Sequence, residues 1–77
     1  MQTELSRWIA QCCQPDLRAV TRSTALHASF NDWEVENRIY PSTITAFGRA
    51  MKETDFPKTK RNGLMMYKGI RLKEQRP

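Results

Sequence analysis

The residues with chemistry to offer gather near the carboxyl end. Lys58, Lys60 and Arg61 stand directly before Asn62-Gly63, and Lys68, Arg71, Lys73 and Arg76 follow, with Glu74 the one acid among them. The whole chain carries a net charge of +5, so the remainder is close to neutral and the positive charge is a patch. Clustered cations at a turn neutralise phosphates or other polyanions. A second set lies upstream: Thr45 and Arg49 one helical turn apart, with Lys52 beyond them. Arginine can address guanine O6 and N7 with two parallel hydrogen bonds, threonine can meet a base edge or a phosphate, and lysine suits a phosphate. Asn62 can reach a groove edge.

Catalytic chemistry has no comparable pattern. The chain holds no glycine-rich phosphate loop ending in Gly-Lys-Ser/Thr and no convincing metal-binding carboxylate cluster, so it reads as a non-enzyme without a cofactor. His27 has no nucleophile or acid arranged around it and reads as a surface histidine. Cys12 and Cys13 are adjacent, a geometry that precludes an ordinary disulfide between them, and a zinc site using His27 would need spacings unlike any compact ligand motif. Reduced thiols are expected, with Cys12 the core member. No apolar run approaches the roughly 20 residues that span a bilayer, and the first residues lack signal-peptide order, so a cytoplasmic protein with no membrane partner is expected.

These side chains need a scaffold, and 77 residues supply one domain, 1–77, with 39% hydrophobic residues, two Trp, two Tyr and three Phe for its core. Leu5, Trp8, Ile9 and Cys12 follow helical spacing and predict a helix over 3–13, with Thr3 as its cap. Pro15-Asp16 marks a turn, and residues 17–21 suit a brief strand or an extended link. Ser23 or Thr24 can cap a helix over 24–37 whose inner stripe is Leu26, Phe30 and Trp33, leaving Glu34 and Glu36 on a solvated face. Tyr40-Pro41 stops it. Ser42 or Thr43 can cap a third helix over 43–54, with Ile44, Phe47, Gly48 and Met51 inward; Gly48 implies a close-packed neighbour. Residues 57–72 then read as a hairpin turning at Asn62-Gly63. Strict alternation groups Leu64, Met66, Ile70 and Leu72; a bulge at Lys68-Gly69 would instead group Met65, Tyr67, Ile70 and Leu72, and the glycine favours the bulge. Residues 73–77 read as a frayed end.

Three short helices followed by a two-stranded hairpin form the layout of an α+β winged helix-turn-helix, in which the third helix enters the major groove and the hairpin lies along the neighbouring backbone. The expected DNA-binding residues are accordingly Thr45, Arg49, Lys52, Lys58, Lys60, Arg61 and Asn62, and the expected partner is double-stranded DNA.

The runs Leu26-His27-Ala28-Ser29-Phe30-Asn31-Asp32-Trp33, Phe47-Gly48-Arg49-Ala50-Met51 and Tyr67-Lys68-Gly69-Ile70-Arg71-Leu72 resemble the C-terminal domain of phage- and plasmid-encoded primase-helicases, relatives of the poxvirus-type superfamily-three helicases. The resemblance covers nearly the whole chain. It departs at His27, where the family carries tyrosine, and after Asn37, where the family carries glycine. It implies a winged helix appended after an ATPase motor, binding DNA at or near replication origins, with an upstream ATPase domain and other replication proteins as further partners. Two other readings use the same fold: a protein-interaction module with Met51, Met65 and Met66 as adhesive residues, and a small phage or plasmid transcription regulator.

Overall fold

A computed structural model describes residues 4–73. The elements, in chain order, are helix α1 (Glu4–Cys12), strand β1 (Cys13–Arg22), helix α2 (Ser23–Glu36), helix α3 (Ile44–Met51), strand β2 (Lys58–Arg61) and strand β3 (Leu64–Leu72). The strands form one antiparallel sheet in the order β1-β3-β2, so the last strand lies at the centre. Three helices and a three-stranded sheet make a small α+β domain, an arrangement compatible with a winged helix.

The core is aromatic and centres on α3. Phe47 lies 5.9 Å from Trp8 of α1, 5.6 Å from Phe30 of α2 and 6.4 Å, edge-on, from Tyr67 of β3. Such edge and tilted pairs contribute about 0.5–1.5 kcal/mol each beyond area burial. Leu5, Leu26, Trp33, Met51, Cys13 and Ile70 complete the buried apolar set among the described residues, as helical spacing predicts for the first four. The two indole N–H groups donate within the same body, Trp8 Nε1 to Ser29 Oγ and Trp33 Nε1 to Gln11 Oε1, so α1 is fixed to α2 by polar as well as apolar contacts.

The first strand is longer than the sequence suggests. It runs through Pro15-Asp16, where a turn is expected, because β1 is an edge strand and an edge position tolerates a residue without an N–H. Its register breaks there: Pro15 pairs with Ile70 but Val20 with Lys68, so residues 16–19 bulge out opposite Gly69. Gly69 has φ +83°, and the Phe56 ring sits 3.6 Å from where a Cβ would stand. This irregularity puts Tyr67 and Ile70, three residues apart, on one buried side, in line with the bulge at Lys68-Gly69 rather than with strict alternation. Leu72 also packs on the core.

Several local expectations are overturned. Cys13, not Cys12, is the core thiol: α1 ends at Cys12, and strand geometry then turns Cys13 inward to 2% exposure. Burial, first, and the neighbouring Cys12 push its pKa up to about 12, while Lys73 opposes the shift. The α2 N-terminus has Arg22 as its cap residue, with no side-chain hydrogen bond from Ser23 or Thr24. α3 stops at Met51; residues 52–54 tighten into i→i−3 bonds, Glu53 N–H to Ala50 O and Thr54 N–H to Met51 O, and the Thr54 hydroxyl also donates to Met51 O. Ile44 is 46% exposed, and a Cβ on Gly48 would meet nothing within 4 Å, so no close-packed neighbour explains that glycine. Lys73 is not frayed: its N–H donates to Cys12 O and its Nζ to Ala10 O, closing the carbonyl end of α1. The Thr3 cap, and Glu74 to Pro77 with Arg76, lie outside the described residues.

Candidate nucleic-acid interface

The position of α3 is set by a buried polar network that patterning misses. Glu34, expected on a solvated face, is 1% exposed. Its carboxylate accepts from the Ser42 N–H at 2.9 Å and the Ser42 hydroxyl at 2.6 Å. With the Asn31 amide nitrogen turned toward it, Asn31 donates to Glu34 Oε1 at 2.8 Å and to Ser42 O at 3.1 Å, while its oxygen accepts from His27 Nε2 at 3.2 Å. His27 Nε2 is also 2.8 Å from Ser42 O, which can only accept, so the ring proton is on Nε2. His27 is therefore a half-buried structural donor, not a surface residue. The signal in the sequence was the i, i+4 spacing of Phe30 and Glu34, which places the carboxylate at the border of the apolar stripe.

The exit from α2 has the six-to-one geometry of a Schellman cap: Ile39 N–H donates to Glu34 O at 2.7 Å and Arg38 N–H to Val35 O at 3.1 Å, with Arg38 at φ +61°. The chain thus reaches the left-handed region at Arg38 without a glycine. Thr43 then caps α3, its hydroxyl accepting from Ala46 N–H at 3.1 Å. The two caps and the Glu34 clamp fix the short α2–α3 connection.

With Phe47 and Met51 turned to the core, helical geometry directs Arg49 to the opposite side, with Thr45 and Lys52 flanking it, and all three are exposed. Arg49 makes no ion pair with Glu53 among the described residues, although Glu4 and Glu53 line the same open hollow of about 450 Å³ beside it.

In the hairpin, Arg61 pairs with Leu64, and Asn62 (φ +50°) and Gly63 (φ +77°) make the two-residue turn, as the Asn-Gly pair predicts. Directly opposed residues of antiparallel strands share a face. Lys58 opposes Tyr67 and Lys60 opposes Met65, so both lysines lie on the sheet face that Tyr67 packs against α3. Lys52 and Lys58 line one open hollow of about 330 Å³ together with Met51, Phe56, Tyr67 and one acid, Asp55; it joins the end of α3 to the start of the hairpin. Arg61 alternates to the other face, with Thr59 and Leu64, and so parts from Lys58 and Lys60; Asn62 stands at the tip.

Among the described residues, no helix is long and apolar enough to cross a membrane. The chain matches no known protein-family model, and no curated protein matches it.

Proposed function

We propose that this chain is a winged-helix DNA-binding module, in which α3 reads duplex DNA and the β2–β3 hairpin acts as the wing. The observation that carries the reading is the convergence of Lys52 and Lys58 on one hollow between α3 and the hairpin. Lys60 lies further along the same sheet face, and Thr45 and Arg49 extend the exposed polar surface along α3. In this role Arg49 and Thr45 meet base edges, and Lys52, Lys58 and Lys60 neutralise phosphates. The resemblance to primase-helicase C-terminal domains makes an appended module of a replication enzyme, working at or near an origin, the biological setting we favour.

Selection of preferred duplexes from a randomised pool, followed by binding of each variant to preferred and unrelated duplexes, tests the assignment of roles. Arg49→Ala is expected to lose about 1–3 kcal/mol on the preferred duplex and to flatten the preference. Lys60→Ala is expected to weaken all duplexes alike. Equal losses on every duplex from both substitutions would reject α3 as the reader.

A further inference from the structure

The strand pairing divides the basic residues of the sheet between two faces, and the second face has no part in the proposed DNA contact. Arg22 opposes Met66, which opposes Thr59; Val20 opposes Lys68; Leu64 opposes Arg61. These side chains share the face turned away from Tyr67 and the helices. Arg22, Lys68 and Arg61 are exposed, Val20 and Leu64 are 38% and 40% exposed, and Met66 is half-buried between Arg22 and Thr59. None of these paired positions carries an acid. Arg71, further along β3, is engaged by Asp16 at 3.1 Å and by Gln14; of the cations around the aliphatic centre, Lys68 shares an open hollow with Asp16 and Asp55, whereas Arg22 and Arg61 form no ion pair among the described residues.

We propose that this outer sheet face docks an acidic, aliphatic segment of a partner protein. Carboxylates of such a segment would meet Arg22, Lys68 and Arg61, while its Leu or Ile side chains cover Val20, Met66 and Leu64. A nucleic acid fits the face less well. Single strands bind flat sheet faces by stacking bases on aromatic rings, and none of the paired strand positions on this face is aromatic, since Tyr67 points into the core. Duplex phosphates would reward the cations but leave the aliphatic centre uncovered.

The test uses a fluorescein-labelled peptide of repeated Glu-Leu-Leu-Glu, with Glu-Ser-Ser-Glu and Lys-Leu-Leu-Lys peptides as controls, and fluorescence anisotropy as the readout. The Glu-Leu peptide is expected to bind, and both controls to bind at least about tenfold more weakly. Arg22→Glu with Lys68→Glu is expected to weaken it about tenfold or more, and Met66→Ser about threefold or more, with thermal melts confirming that each variant is folded. Lys52→Ala with Lys58→Ala is expected to leave peptide binding unchanged while weakening duplex binding, so failure of the docking proposal is distinguishable from failure of the DNA reading. No binding of the Glu-Leu peptide, equal binding to the folded Arg22→Glu, Lys68→Glu variant, or a duplex that loses affinity only in that variant would overturn the proposal.

Discussion

Three residues carry energies that their sequence context hides. Glu34 is the clearest: removing its carboxylate leaves the Ser42 N–H and hydroxyl, and the Asn31 amide, without their buried acceptor. Leaving buried donors unsatisfied costs about 1–3 kcal/mol apiece, so Glu34→Ala is expected to lower stability by about 3 kcal/mol or more in urea unfolding, with Glu34→Gln falling between. Arg38 runs the other way. An L-residue in the left-handed region costs about 1–2 kcal/mol, and a glycine at that position avoids the cost, so Arg38→Gly is expected to raise the unfolding midpoint by the equivalent of about 1 kcal/mol. Cys13 links stability to alkaline pH. Its pKa rises from 9.0 to about 12 in the fold, so across that window the unfolded chain releases the thiol proton first and stability declines as pH rises. Cys13→Ala is expected to make the decline shallower in melts between those limits, with Cys12 and Tyr67, whose pKa values burial also raises, supplying the remainder; a decline unchanged in the variant would contradict the assignment to Cys13.

At the scale of elements, α3 is held by its ends more than by its middle. Gly48 sits in open space, so Gly48→Ala is expected to stabilise the domain by about 1 kcal/mol through helix propensity alone, whereas Thr43→Ala removes the cap of the same helix and is expected to cost about 1 kcal/mol. Chemical denaturation of both variants checks the opposed signs. The elements differ in how legible they were. Helical spacing placed Trp8, Phe30, Trp33, Phe47 and Met51 in the core, because one apolar stripe per helix has one way to be buried. The Asn62-Gly63 turn was equally legible, since positive φ at two successive residues selects that pair. The extent of β1 was not, because strand pairing is a tertiary event: Cys13 to Pro15 are extended only because β3 returns beside them. Glu34 was misplaced for a related reason, since only the folded α2–α3 connection brings Ser42 over it.

The whole molecule sorts its charge by sheet face, which the count of lysines and arginines along the chain could not reveal. Lys58 and Lys60 project on the α3 side, whereas Arg22, Arg61 and Lys68 project away from it. Thr45, Arg49 and Lys52 were assignable from helical spacing, but the separation of Arg61 from its neighbours and the recruitment of Arg22 from β1 required the register. Acids near Arg49 moderate the first face: Glu53→Gln removes a negative charge from the same hollow and is expected to tighten duplex binding modestly, an effect that fades as salt is raised. In the proposed role α3 and the inner-face lysines act as one phosphate-binding surface, and the slope of log Kd against log salt for a duplex measures it directly. Lys52→Ala, Lys58→Ala and Lys60→Ala combined are expected to reduce the slope by about 0.9 for each phosphate that is no longer neutralised, while Arg22→Ala with Lys68→Ala leaves it unchanged. A slope insensitive to the three lysines but reduced by the outer-face pair would contradict the assignment.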